Sequence, residues 1–319
     1  MTTTITKTIK AGGDYTTLQA WEDATPVSLV AVDQIWQGQA SGAFSGASGT
    51  LLTFSGTTVD STRYQELTTE AGASFRDNAN VQTNALRWNS ANGCSITSSG
   101  SYGTTINASG QAQVRFSKLQ VEATTSKTTC FITGPTSDID GCIFEAAKTK
   151  VVEINASTSI LRNCLVVQRR TAVTECAKLS YGCTVVNCTF VTPNDLTKPA
   201  EVITGAGASV TTKNCAMFWG TALQAGGSAP TYTTCGNDNG TPPSGVTQFT
   251  YDTSLFQNVS DATRDYRLLS GSGLIGAGTV DATNAPTDIA GTTRGASNDI
   301  GCWQFVSAAA VVLMGQACL

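Results

Sequence analysis

Arg162-Asn163-Cys164-Leu165-Val166, Val186-Asn187-Cys188-Thr189-Phe190 and Lys213-Asn214-Cys215-Ala216-Met217 are three copies of one pattern: an asparagine, a cysteine, then apolar residues. Toward the N-terminus the pattern continues as Asp140-Gly141-Cys142-Ile143-Phe144, Ser117-Lys118-Leu119-Gln120-Val121 and Asn92-Gly93-Cys94-Ser95-Ile96. The anchors at 94, 119, 142, 164, 188 and 215 are separated by 25, 23, 22, 24 and 27 residues, the period range of solenoid repeats. A second series, Ile106, Ile132, Ile154, Leu179 and Ile203, advances by 26, 22, 25 and 24 residues and stays 9 to 13 residues ahead of the next anchor. Two series in step are harder to obtain by chance than one.

Strand geometry explains the pattern. Each repeat holds two or three short strands with alternating inward apolar residues, and the Asn or Gly before the anchor supplies the bend. Stacking pairs each strand with the one a repeat earlier, which places like residues over like in long parallel sheets. Cysteine suits an inner column because it is a small hydrophobe. The pattern predicts an all-β chain folded as a right-handed single-stranded parallel β-helix. A zinc site at Cys183 and Cys188, or at Cys164 and Cys176, is the competing reading. Neither pair has the CxxC spacing of structural zinc, so no metal and no cofactor is expected.

Composition narrows the class. Charged residues make up 13% and glycine numbers 31, too few charges for a helical protein and too regular an apolar content for disorder. The net charge of −4 offers no basic stripe for phosphates, so no nucleic-acid partner is expected. Eleven cysteines, an odd number without a leader before them, argue against a secreted disulfide framework and for reduced thiols. The late apolar run 308–314 is too short to span a bilayer, so no membrane partner is expected. The chain has no histidine, which removes Ser-His-Asp and Cys-His catalysis and the commonest transition-metal ligand.

The two ends carry more specific patterns. Gly12-Gly13-Asp14-Tyr15-Thr16-Thr17-Leu18-Gln19-Ala20-Trp21-Glu22-Asp23-Ala24 predicts a short amphipathic capping helix, with Thr16 and Gln19 as a capping box and Leu18 and Trp21 on one face. A Gly-Asp-Tyr stretch leading into Leu-Gln-Ala-Trp resembles the N-terminal cap of the pectin-lyase-like parallel β-helix superfamily. Asp265-Tyr266-Arg267-Leu268 followed by Ser270-Gly271-Ser272-Gly273-Leu274-Ile275-Gly276-Ala277-Gly278, then Asp288 to Arg294 and Asp299 to Phe305, resembles its closing rung. Here Gly273 replaces the usual proline and Gln304 the usual acidic residue. The resemblance covers 8–305, and from cap to cap the chain also resembles small β-helix virion proteins of tailed phages and prophages. On this basis 1–305 is one β-helix domain, with 8–26 as cap, 262–305 as closing rungs and 306–319 as an apolar tail. Residues 41–92 are assigned to early rungs with one large loop, and the loop chemistry of 221–262 to an excursion or irregular rungs.

Because this fold often hosts polysaccharide cleavage, acidic residues on a common face are the candidates for catalysis. Hydrolysis needs two flanking acids, and lyase chemistry needs a calcium-binding carboxylate cluster with a base. Asp138, Asp140, Glu145, Glu153 and Glu175 fall in neighbouring repeats, with Arg162, Arg169 and Arg170 as basic partners. The alternative is a solvated outer wall, since no acid pair recurs at one repeat spacing. Asn-x-Ser/Thr matches at Asn107, Asn155, Asn187 and Asn258 read as turn asparagines.

The resemblance therefore implies a structural virion protein, made in the host cytoplasm and displayed on the particle as a capsid decoration (cement) protein or small spike. The implied partners are further copies in a homotrimer, other virion proteins such as the major capsid protein, and host surface polysaccharide. The alternatives are a polysaccharide depolymerase (lyase or glycosidase) and a non-catalytic glycan-binding tailspike module using Tyr102, Tyr181 and Trp219 as stacking platforms. The apolar tail is expected to contact a partner, so deleting 308–319 should abolish particle attachment and leave the repeats folded.

Overall fold

A computed structural model describes the chain except residues 48, 79–83, 101–102, 125–127, 148–149, 156–157, 170–174, 181, 194–200, 207–209, 219–221, 225–229, 239 and 308–319. The apolar tail, Arg170, Tyr102, Tyr181 and Trp219 thus lie outside the described residues. Three parallel sheets carry the fold. Sheet A runs from Thr3–Ile9 through Gln34–Ala40, Gln65–Thr69, Val114–Ser117, Asp138–Asp140, Ile160–Arg162, Thr184–Val186 and Thr211–Lys213 to Thr231–Thr233. Sheet B runs from Leu52–Thr53 to Ala222–Gln224, and sheet C from Ala43–Gly46 to Val246–Gln248. From Gly103 on, the chain visits B, A and C in turn, and each strand pairs in parallel with its counterpart one repeat later. Long parallel stacks of this kind are compatible with a parallel β-helix.

The cysteine column marks the A-to-C bend. Cys94, Leu119, Cys142, Cys164, Cys188 and Cys215 are all buried there, and Cys235 extends the column by one turn. The residue before each anchor is left-handed: Gly93, Lys118, Gly141, Asn163, Asn187, Asn214 and Thr234 all have positive φ. Glycine and asparagine tolerate that region and most residues do not, so the Asn/Gly recurrence is a backbone requirement. The sulfur atoms complete the bend's hydrogen bonding. Cys188 Sγ accepts from Cys164 N at 3.5 Å and Cys215 Sγ accepts from Cys188 N at 3.4 Å. Among the described residues no three metal-ligating side chains converge.

Lys118 is the misfit of the column, with φ of 61°. A lysine there carries a steric cost of about 1 kcal/mol that asparagine largely avoids. Lys118→Asn should raise the denaturant midpoint with an unchanged slope, equivalent to about 1 kcal/mol. An unchanged or lower midpoint would rule this out.

The second series needs a correction. In sheet B, Ile106 stacks on Phe131, Val152, Ala177 and Ile203, whereas Ile132 stacks on Asn107, Glu153 and Lys178. Ile132 therefore faces outward, and Ile154 and Leu179 stand in the next inward row with Thr133. A step of one residue reverses the face of a strand residue, so a loose period does not settle which of two neighbouring apolar residues is inside.

The interior is filled by these inward rows, and an aromatic chain runs through it. Trp21, Phe54, Phe116, Phe131 and Phe144 follow one another at centroid distances of 5.9, 5.5, 4.8 and 4.8 Å. At the N-terminal end the helix Leu18–Asp23 begins one residue later than predicted. Thr17, not Thr16, is the N-cap, its hydroxyl accepting from Ala20 N at 3.1 Å. Gln19 forms no capping box. Its amide instead pairs with the edge strand of sheet B, accepting from Thr53 N at 2.8 Å and donating to Thr53 O at 3.2 Å.

In 221–262, read as an excursion or irregular rungs, Thr231–Thr233 and Cys235–Asn237 continue sheets A and C, and Val246–Gln248 adds the last strand of sheet C. The expected loop in 41–92 follows Gln65–Thr69 and carries the short helix Phe75–Asn78. From Phe249 the chain leaves the stacks. Residues 262–305 add no strand to the three sheets; Asp265–Leu268 pairs antiparallel with Phe256–Asn258 instead. This C-terminal segment covers the outer face of sheet C. Ile143, Leu165, Val167, Val191 and Phe218 are buried there against Phe256, Tyr266, Leu274, Ile289 and Trp303. Ile143–Ala146, Leu165–Gln168, Thr189–Val191 and Ala216–Phe218 are consequently buried at every position, the behaviour of strands covered on both faces.

Candidate functional site

With sheet C covered, the outer wall of sheet A presents a concavity of about 430 Å³. Residues two apart on a strand share a face, so the outward positions of successive strands form rows. One row holds Gln37, Glu66, Arg115 and Asp138. The next holds Ser117, Asp140 and Arg162. Successive strands sit ~4.8 Å apart, and the rows therefore bring amides, carboxylates and guanidinium groups into one groove.

The contacts within it are polar and ordered. Arg162 binds both aspartates, with Nη2 3.0 Å from Asp138 Oδ2 and Nε 3.5 Å from Asp140 Oδ2. Asn163 Nδ2 donates to Asp140 Oδ1 at 2.9 Å. Gln37 Nε2 donates to Glu66 Oε2 at 2.9 Å, and Gln39 Nε2 to Gln37 Oε1 at 3.0 Å. Arg115 lies 3.6 Å from the centroid of the Tyr64 ring, and its Nη1 donates to the Tyr64 hydroxyl. Burial pushes the Asp138 carboxyl above its ordinary range, with Arg162 and Arg115 opposing and Asp140 reinforcing the shift. Asp138 Oδ1 is buried and accepts no hydrogen bond among the described residues. Burial also raises the Tyr64 hydroxyl, against the pull of Arg115.

The sequence candidates divide over three walls. Asp138, Asp140 and Arg162 line the groove. Glu153 is on sheet B, paired with Lys178 at 2.9 Å and Lys150 at 3.6 Å. Glu145 is on sheet C beneath the C-terminal segment, paired with Arg264 at 2.5 Å and Arg169 at 3.4 Å. Glu175 lies in sheet B opposite Glu201, and its side chain is outside the described residues. The five acids thus share no face: the chain turns to a new wall every few residues, and closeness in sequence says little about which wall an acid joins. Of the four glycosylation-type asparagines, Asn107 and Asn258 accept from Ser109 N at 3.1 Å and Ser260 N at 2.9 Å in turns at strand ends, and Asn187 sits at the A-to-C bend. It is buried and donates to Asp299 O at 3.1 Å.

Glu66, Arg115, Gln37 and Tyr64 were not singled out in the sequence. Arg115 and Asp138 are one repeat apart, so the period could have paired them. Glu66 could not be phased because the loop after Gln65–Thr69 interrupts the spacing.

Comparison of the chain with family models, curated proteins and solved structures gave no match. The groove is thus interpreted from its own chemistry. Its rows of fixed donors and acceptors, open to solvent, match a hydroxyl-rich polymer better than an apolar ligand. Burial raises the Asp138 carboxyl, the direction a general acid needs; Asp140 shares its strand, and Glu66 lies two strands away across Arg115. Among the described residues no three such carboxylates converge on a site that could hold a metal ion.

Proposed function

We propose that this chain is a structural virion protein of a tailed phage, a right-handed parallel β-helix displayed on the particle as a decoration protein or small spike, and that its sheet A groove holds host surface polysaccharide. The groove is the observation that carries the ligand half of this reading. Stacked parallel strands supply a rigid wall; Arg162, Asp140 and Asn163 are held by one another, and Gln37 by Glu66 and Gln39, before any ligand arrives, so little ordering is needed on binding. The virion placement rests on the resemblance of the two chain ends. In this reading the helix Leu18–Asp23 caps the first rung, its Gln19 and Glu22 side chains taking up the Thr53 and Ser55 backbone N–H groups, and copies assemble as a homotrimer.

The test is binding of purified full-length protein to polysaccharide from candidate hosts, followed by tryptic mass spectrometry of purified particles. Arg162→Ala is expected to weaken glycan binding at least ~10-fold, the loss of one charged hydrogen-bonding group. Unchanged binding by the variant, or absence of the chain from particles, would overturn the corresponding half. One observation favours a depolymerase as the second reading, namely the raised Asp138 beside Asp140, with Glu66 further along the same wall. New reducing ends or unsaturated products that disappear in Asp138→Asn would establish it over simple binding.

A further inference from the structure

Beneath the C-terminal segment two glutamates face each other on successive strands of sheet C, Glu122 directly opposite Glu145. Both side chains are buried, and neither belongs to the groove. The groups around them are Arg169, which follows Leu165–Gln168, and Arg264 and Asp261, both on the covering segment. The contacts are uneven. Arg264 Nη2 reaches Glu145 Oε1 at 2.5 Å and its Nη1 reaches Asp261 Oδ1 at 2.9 Å. Arg169 binds Asp261 through Nε at 2.8 Å and Nη2 at 3.0 Å, and Glu145 through Nη1 at 3.4 Å. Glu122 accepts no hydrogen bond among the described residues. Behind it, on the interior side of the strand, the buried Cys130 thiol stays neutral.

The charge count decides what this cluster does. With Glu122 protonated, two carboxylates (Glu145 and Asp261) balance two guanidinium groups among the described residues. With Glu122 ionised, one uncompensated negative charge is placed next to Glu145, where the covering segment shields most of it from water. We propose that Glu122 is a proton-operated latch for the C-terminal cover, which is seated tightly when Glu122 carries a proton and more weakly once that proton has left to solvent. The two states differ in the cover's seating on sheet C, which protects Ile143, Leu165, Val167 and Phe218.

The sign follows from linkage. Burial first, then the Glu145 charge, pushes the Glu122 carboxyl up from 4.5 to about 7, with Arg169 and Arg264 opposing. The seated state therefore binds the proton more tightly than the open state. Seating is strongest below the ordinary value and weakens as pH rises from about 4.5 to about 7, by at most about 300-fold; solvent access to Glu122 reduces the figure toward ~10-fold.

Hydrogen exchange of the full-length protein at pH 5.5 to 8.5, corrected for intrinsic rates, tests this. Protection of Asp265–Leu268 should fall ~2- to 30-fold across that range relative to Ile160–Arg162, the part of the full effect that lies above pH 5.5. Glu122→Gln should keep the acidic level of protection throughout. Parallel loss in both proteins, or no relative loss in the parent, would overturn the latch. Carboxyl NMR of the unmodified protein gives an independent reading. A Glu122 midpoint near 7 supports the latch, and one in the ordinary range between 4 and 5 refutes it.

Discussion

Arg264→Ala is expected to lower the free energy of unfolding by about 3–5 kcal/mol near neutral pH, the cost of removing one partner from a buried ion pair. Arg264 has a side-chain exposure of 7% and Glu145 of 1%, and the guanidinium serves both Glu145 and Asp261. Truncation leaves Glu145 with only the longer contact to Arg169, while its Oε2 is already buried without a partner. Burial raises the Glu145 carboxyl and Arg264 is the main opposing influence, so in the variant Glu145 gains a reason to take up a proton. The loss should therefore shrink on acidification. Urea melts at pH 5 and pH 7.5 measure both effects. A loss below about 1 kcal/mol at the higher pH would mean that the pair contributes no more than an exposed one. The double variant Arg264→Met with Glu145→Leu should recover much of the loss, since apolar packing replaces a buried pair at little cost.

Asn214→Ala should be nearly as damaging, by about 3–4 kcal/mol from one left-handed residue and the hydrogen bonds of one buried amide. Asn214 has φ of 53° and is buried. Its Nδ2 donates to Thr279 O at 2.7 Å and its Oδ1 accepts from Thr279 N at 2.9 Å, so it holds the C-terminal segment to the bend as a strand partner would. Thr234 Oγ1 donates to the same oxygen at 2.5 Å. Alanine loses all of these contacts and strains the backbone as well. Asn214→Gly loses the contacts but is free to adopt positive φ, and should retain about 1 kcal/mol of what alanine loses. Equal destabilisation by the two would show that the conformation carries no cost at this position.

The same asparagine shows how far the sequence can be read. Asn163, Asn187 and Asn214 announced a bend, because side-chain chemistry and left-handed backbone are linked within a single residue. That they also bind the C-terminal segment was not visible. Asn187 meets Asp299 O across 112 positions, and no local pattern encodes such a distance. The apolar runs Leu165-Val166-Val167 and Ala216-Met217-Phe218 did carry a hint of the second buried face, since strict alternation fails in them. Read under a solenoid pattern, that signal was absorbed into the core.

The candidate site was legible in part for a similar reason. Asp138, Asp140 and Arg162 lie at consecutive turns of regular length and came together as a group. Glu145 and Glu153, only a few residues further along, went to different walls because the chain bends after each short strand. Glu66 joined the groove across the loop that follows Gln65–Thr69, from a position the period could not reach.

By itself the sequence determined the stacked parallel strands, the bend before each cysteine and the buried thiol column, all properties set within one repeat by backbone conformation and side-chain size. Tertiary structure alone decided that 249–305 turns back over sheet C, that sheet A keeps the open polar groove, and that Glu122 and Glu145 are enclosed together. Those outcomes depend on which outer face is covered, and the free energy of covering a face belongs to two distant segments jointly.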